Sequence, residues 1–424
     1  MAKKRKKPEI RFAGYETEWI EKKFDETFDM LSNNTLSRNA LNDDEGVAKN
    51  VHYGDVLVKF GEYLDVSSEQ LPYINDSTVA LKFLKSYLKD GDIVIADTAE
   101  DESVGKCTEV IGVEDTPVIS GLHTIPCRPK QEYAPKYMGY YLNSNAYHDR
   151  LLPLMQGVKV TSISKTGIKD TDVILSEEFE EQAKIGDFLS SLDDMIASEV
   201  SKYEKLTIVK KSLMEKMFPK SGSNTPGIRF NGFTAPWEQR KLHEIADKVT
   251  EKNVNFTVSE TFTNSAEYGV ISQRDFFDHD ISNLENISGY YVVGEDDFVY
   301  NPRISVTAPV GPVNRNKLGR KGIMSPLYTV FKTHDIDSIF LEYFFKGNEW
   351  HSYMFFNGDT GARFDRFSIK NEVFFDLPIP YPQIEEQRVI GRCLANLDNL
   401  ITLHQRRLEK LRNIKSSCME KMFV

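Results

Sequence analysis

Two distant stretches of this chain are written in nearly the same residues. Ile10-Arg11-Phe12-Ala13-Gly14-Tyr15 returns as Ile228-Arg229-Phe230-Asn231-Gly232-Phe233, and a tryptophan follows each at the same distance, Trp19 and Trp237. Glu180-Glu181-Gln182, Ile185-Gly186, Leu189, Leu192-Asp193 and Ile196 return as Glu385-Glu386-Gln387, Ile390-Gly391, Leu394, Leu397-Asp398 and Ile401. Met214-Glu215-Lys216-Met217-Phe218 closes the first copy and Met419-Glu420-Lys421-Met422-Phe423 the second, with the register held at 205 positions across this whole segment. A fixed register of that length is the mark of an internal duplication. Two cores are therefore expected, which a chain of 424 residues can supply.

Between the matched ends the copies part company. Residues 30–150 and 248–358 share little sequence. A shared frame around unlike inserts reads as a scaffold carrying two heads tuned to different targets. Uniform drift after duplication would not spare one part and scramble the other.

The matched ends carry a heptad pattern. Leu189, Leu192, Ile196, Tyr203, Leu206, Leu213 and Met217 alternate at spacings of three and four, with Glu199 and Lys210 in the same seam. The second copy runs Leu394, Leu397, Ile401, His404, Leu408, Leu411, Cys418 and Met422, with Lys415 in the seam. This 3.5-residue repeat is that of a coiled coil. No proline interrupts either segment, and Pro219 stops the first. Each helix would be about 58 Å long at about 1.5 Å per residue, and its apolar stripe needs a partner. Residues 180–218 hold eight acids and six bases, whereas 385–423 hold five acids and eight bases. That balance favours pairing with each other. A bundle inside one core, or a zipper between chains, would use the same stripe.

Each insert reads as a small mixed α/β domain. Strands are expected at Asp92–Ala96, Pro117–Ile119 and His123–Pro126, and at Tyr290–Val293, Arg303–Thr307 and Leu327–Phe331. A helix should follow in each, at Lys136–Leu142 and Ile336–Phe344. Gln156-Gly157-Val158-Lys159 and Thr360-Gly361-Ala362-Arg363 then recur at the same place before the long helix, each a glycine followed two residues on by a base.

Composition limits function more by exclusion. The net charge of −11 does not favour a polyanionic ligand, although a negative total can hide a basic face. The densest basic run is Arg315-Asn316-Lys317-Leu318-Gly319-Arg320-Lys321, which the neighbouring Gly311 and Gly322 mark as a loop. Its cations suit phosphates, and Asn316 or an arginine suits a base edge; an ordinary solvated loop would read the same. Lys106, Lys159 and Lys165 are the sparser candidates of the first insert, with Arg363 and Arg366 completing the second. No Walker loop, H-E-x-x-H, G-x-S-x-G or glycine-rich S-adenosylmethionine loop is present. Asn301-Pro302-Arg303 lacks the second proline and the aromatic residue of an amino-methyltransferase motif and reads as a turn. The histidines show no metal-ligand spacing, so neither a catalytic residue nor a metal site is assigned. The four cysteines form no C-x-x-C pair, and no secretory signal or apolar run of membrane-spanning length is seen, which suits a cytoplasmic protein without a membrane partner.

The duplicated frame, the variable inserts and the two heptad helices resemble the specificity subunit of type I restriction–modification enzymes. Trp19 and Trp237, Gly91-Asp92-Ile93-Val94 with Gly105-Lys106, Tyr141-Leu142-Asn143-Ser144, and the helix openings Phe179-Glu180-Glu181-Gln182 and Ile384-Glu385-Glu386-Gln387 carry the likeness. Pro382 fits the family's proline before the helix, with Ser176 its counterpart in the first copy, and Gly294-Glu295-Asp296-Asp297 with Gly311 stands loosely for the Gly-Asp-Ile motif. The resemblance implies an α+β chain with pseudo-twofold internal symmetry, two target-recognition domains joined by an antiparallel coiled-coil pair. The divisions would be a lead-in at 1–20, a first recognition domain at 21–160, a spacer helix at 176–219, a linker and second lead-in at 220–240, a second domain at 241–365 and a second spacer helix at 382–424. Each domain would read one half of a bipartite site in double-stranded DNA. The helices would set the spacer, placing the readers one to two turns of DNA apart at about 34–36 Å per turn. Two modification subunits and the restriction subunits would dock on the frame and bring S-adenosylmethionine, ATP and Mg, with no cofactor in this chain. A DNA-binding regulator or scaffold outside restriction, and a coiled-coil interaction module, are the competing readings, as is an autonomous nuclease or methyltransferase with an unrecognised site.

Overall fold

The computed structural model describes residues 6–157, 159–220, 222–276, 284–360 and 365–424. The chain divides into two compact units, one of Met1–Val200 with Arg406–Val424 and one of Ser201–Gln405. The fold is mixed α/β. The heptad segments form two unbroken helices, Phe179–Met217 and Ile384–Lys421. Along both, every seam position is buried or half-buried, including Glu199, Lys210, His404 and Lys415, while most positions between them are exposed.

In the first unit, Ile20–Lys23 pairs antiparallel with Asp172–Leu175, tying the lead-in to the segment that enters the long helix. A five-stranded sheet runs in the order Phe28–Met30, Thr124–Pro129, Ile93–Ala96, Cys107–Ile111, Tyr63–Asp65. A smaller sheet joins Tyr73–Ile74, Ala48–Val51 and Val118–Ser120. The helix Tyr137–Asn143 is buried along nearly its whole length. The core gathers Trp19, Tyr137, Tyr141, Leu189 and Leu192 with Met422 and Phe423, which directly follow the second long helix.

The second unit repeats this plan with fewer strands. Glu238–Lys241 pairs with Pro378–Tyr381. A four-stranded sheet runs Ala246–Lys248, Thr329–Thr333, Phe298–Tyr300, Val313–Arg315. That is the order of the first four strands of the larger sheet, so the inserts share a topology that their sequences do not display. Helix Ser338–Lys346 takes the place of Tyr137–Asn143, and Met217 and Phe218 join the core with Trp237, Phe340, Ile390 and Leu394.

The turn before the central strand shows how sequence likeness was lost while geometry was kept. In the first unit Gly91 sits at φ +84° and Asp92 accepts from the Lys89 amide at 2.8 Å. In the second, Asp296 sits at φ +62° and Asp297 accepts from the Gly294 amide at 2.6 Å. Asp296 thus occupies the left-handed slot that glycine fills more cheaply, and Asp is among the residues that tolerate it. One expectation is corrected. Arg303–Thr307 is not a strand: the strand ends at Tyr300, and Asn301 turns the chain by accepting from the Arg303 amide at 3.0 Å, next to a proline that has no N–H for a ladder. As expected, the 315–321 run is a loop, which joins Val313–Arg315 to Gly322–Met324.

Candidate nucleic-acid interface

The repeated residues meet in the same constellation in both units. In the first, Arg11 holds Glu181 with two hydrogen bonds of 2.5 and 2.9 Å, and the Trp19 indole N–H donates to the same carboxylate at 3.1 Å. In the second, Arg229 holds Glu386 at 2.6 and 2.8 Å, and Trp237 donates at 3.1 Å. Both glutamates are fully buried. A two-pronged guanidinium is the partner best suited to a buried carboxylate, because it satisfies both oxygens at once. The hydrogen bond to each glutamate raises the arginine's pKa above its ordinary value.

The neighbouring glutamine ties the insert to the same helix. Gln182 accepts from the Ala134 amide at 3.0 Å and donates to the Ser176 carbonyl at 2.7 Å. Gln387 accepts from the Asp337 amide at 2.8 Å and donates to the Pro382 carbonyl at 2.8 Å. One turn further on, Gly186 and Gly391 let the insert's backbone approach the helix; a Cβ on Gly186 would stand 2.7 Å from the Pro135 carbonyl oxygen. The seam lysines also find partners: Lys415 pairs with Asp193 at 2.7 Å and Glu62 at 2.8 Å in the first unit, and Lys210 pairs with Asp398 in the second. Asp193 and Asp398 further accept from Tyr140 and Tyr343, at 2.5 and 2.6 Å.

The structure sorts the basic candidates. Arg315 and Lys317 both pair with buried Glu342, and Arg315 also with Asp296. Burial pushes the Glu342 carboxyl up, but Lys346 and Lys317 outweigh it and hold it at about 2. Arg320 grips Glu260 through two bonds of 2.7 Å while staying half-exposed. Asn316 is buried, donating to the Gly294 and Arg320 carbonyls, so it shapes the turn and presents no amide edge. Lys321 and Arg366 are exposed, and Arg363 lies outside the described residues. In the first unit the half-buried Lys106 donates to the Leu57 carbonyl at 2.8 Å, with burial lowering its pKa, and Lys165 reaches Asn33 Oδ1 at 3.2 Å. Lys159 is exposed, between the bridged residues Gln156 and Ser162 of a hairpin. That hairpin borders a group that the sequence did not bring together: Asp97, Thr98, His123 and Tyr53. Its only trace in the sequence is a polar pair just after one strand and just before another.

Among the described residues no group of histidine, cysteine or acidic side chains is arranged to hold a metal ion, and no helix is long and apolar enough to cross a membrane. Two different α/β heads, each clasped in the same way to a long helix, define a duplicated binding scaffold. Residues 235–413 match the family model described as the type I restriction modification DNA specificity domain. The putative type I restriction enzyme MjaX specificity subunit of Methanocaldococcus jannaschii is 25% identical over 348 residues, 78% of this chain and 76% of that protein. The type I restriction enzyme MjaVIII specificity subunit of the same organism is 25% identical over 291 residues, 63% of this chain and 67% of that protein. The fold matches that of the type I restriction–modification S subunit from M. genitalium, with a TM-score of 0.58, 13% identity and 99% of each chain covered. The chain is thus similar to the specificity subunits of type I restriction–modification systems, in its second half by the family model and over most of its length by these relatives.

Proposed function

We propose that this chain is the DNA-recognition subunit of a type I restriction–modification complex, not itself catalytic, and that each insert reads one half of a bipartite, asymmetric site. The observation that carries this reading is the pair of matching clasps. Arg11, Trp19 and Glu181 hold one head, Arg229, Trp237 and Glu386 hold the other, and the two heads differ in strand number and surface chemistry. Identical mounts with unlike heads suit two different half-sites.

The two long helices act as an antiparallel coiled-coil spacer. The protected seam along each helix, the Lys415–Asp193 pair in one unit and the Lys210–Asp398 pair in the other support that pairing. Modification and restriction subunits dock on the frame and bring S-adenosylmethionine, ATP and Mg. The exposed apolar side chains of the helices, among them Phe188, Ile208, Val209 and Leu403, give such partners something to cover.

Matched removal of one heptad from each helix, residues 197–203 and 402–408, tests the spacer. Seven residues remove about 10 Å of helix, or about three base pairs of DNA. In the host strain the methylated motif is expected to keep both half-site sequences with a gap shortened by about three base pairs. A functional variant with an unchanged gap would refute the spacer role.

A further inference from the structure

The two heads carry different side chains at one and the same topological place. The central strand of the first head ends at Ala96, paired with Thr124, and that of the second ends at Tyr300, paired with Thr329. The residues just beyond these partners are Asp97 and His123 in the first head, Asn301 and Tyr328 in the second. A further segment bonds to each place: Ile163 N–H donates to the Asp97 carbonyl at 2.9 Å, and Phe367 N–H to the Pro302 carbonyl at 2.7 Å.

In the first head this place is built for more than closing a turn. His123 has φ +53°, a left-handed conformation that histidine, like asparagine and aspartate, adopts more readily than most residues, and its imidazole is about half-exposed. Asp97 Oδ1 accepts from the Thr98 hydroxyl at 2.7 Å and lies 3.3 Å from His123 Nδ1, and the Tyr53 ring meets the imidazole edge-on at 5.2 Å. Among the described residues the Asp97 carboxylate has no arginine or lysine partner, unlike the carboxylates that bind the basic run of the second head. On the bordering hairpin Lys159 is exposed, without an ion-pair partner among the described residues, and Val160 is 54% exposed.

We infer that Asp97 and His123 are base-reading residues of the first recognition domain, with Lys159 placed to neutralise a backbone phosphate. This rests on the DNA-recognition reading and adds the site to it. A carboxylate accepts from the amino groups that cytosine, and also adenine, presents in the major groove. An imidazole held at Nδ1 offers Nε2 to a base edge as acceptor when neutral and donor when protonated. Val160 supplies an apolar surface for a thymine methyl. A lysine on a phosphate adds affinity without sequence preference.

The test uses the assembled complex, purified from its host through a tag on this chain. It is titrated with double-stranded DNA carrying the motif found in the host methylome, and with the full set of duplexes changed at one base pair. Asp97→Asn keeps the side chain's shape, and His123→Asn keeps a residue that accepts a left-handed backbone. Each is expected to lose about tenfold to a hundredfold discrimination at one or two positions of one half-site, with the other half-site read as before. Lys159→Ala should weaken binding evenly across all duplexes and reduce the salt-dependence slope by about one. Unaltered discrimination in both the Asp97 and His123 variants overturns the inference, as does an even loss over all positions, which marks a merely structural role. If the unsubstituted complex discriminates among none of the duplexes, the DNA-recognition reading itself falls.

Discussion

Glu386 lies in the interior of its unit with an arginine on both oxygens and an indole N–H besides. Such a pair is weak evidence of net stabilisation, because desolvating two charges costs about as much as their attraction returns. Its removal by halves is another matter. Arg229→Met leaves a buried carboxylate without its counter-ion and is expected to destabilise the second unit by about 3–5 kcal/mol. Arg229→Met combined with Glu386→Gln should recover most of that loss, since no charge then remains buried. Urea melts of the full chain, followed by hydrogen exchange at Phe298–Tyr300 and Ser338–Lys346, measure this. A double variant as unstable as the single one would show that the clasp acts through packing around Trp237 and not through charge. The same logic applies to Arg11 and Glu181, whose carboxylate has a further donor in the Ser176 hydroxyl at 2.5 Å.

At the scale of elements, the long helices hold glycines where helix propensity argues against them. Replacing an interior glycine by alanine ordinarily gains about 1 kcal/mol. At Gly186 a Cβ would press on the Pro135 backbone carbonyl at 2.7 Å, so the segment leading into Tyr137–Asn143 would have to move. Gly186→Ala is therefore expected to destabilise the first unit by about 1–3 kcal/mol. Gly391→Ala, whose nearest atoms are the Phe340 nitrogen at 3.1 Å and Asp337 Oδ1 at 3.2 Å, should cost less. Thermal melts of the two variants check the order; equal melting temperatures would refute the close-approach argument. These glycines also mark what sequence makes legible. Heptads, the lead-in and the Glu-Glu-Gln opening were plain because the same contacts constrain them in both copies. The shared order of four strands was not, because a strand needs only apolar residues on its buried face and Asp296 can do the work of Gly91. The ion pairs of the basic run in the second head were hidden for a related reason. A charge run shows its own sign but not its partners, and Glu342 and Glu260 lie 27 and 60 residues from the cations they hold. His123 gave no signal, since backbone conformation cannot be read from an isolated histidine between Leu122 and Thr124.

At the scale of the whole molecule, the repeat in sequence is not the compact unit in space. Ser201–Gln405 is one continuous stretch, beginning inside one long helix and ending inside the other, whereas the first unit needs both Met1–Val200 and Arg406–Val424. The closing Met-Phe of each repeat therefore serves the other repeat's head. Phe423 packs on Trp19, Tyr137 and Tyr141, and Phe218 packs on Phe340 and Phe344. Both rings are nearly fully buried, and truncating a buried phenylalanine to alanine costs about 3–5 kcal/mol. Phe423→Ala is expected to lower hydrogen-exchange protection in the strands Ile93–Ala96 and Cys107–Ile111, although it lies some three hundred residues away in sequence. Protection in Phe298–Tyr300 and Thr329–Thr333 should hold. Phe218→Ala should do the reverse, loosening the second head although the residue belongs to the first repeat. Local openings of this kind are resolved by native-state exchange, which separates units that open alone from units that open together. If either substitution lowered protection in both heads equally, the chain would unfold as one cooperative body, and the division of the core between the repeats would have no separate energetic meaning.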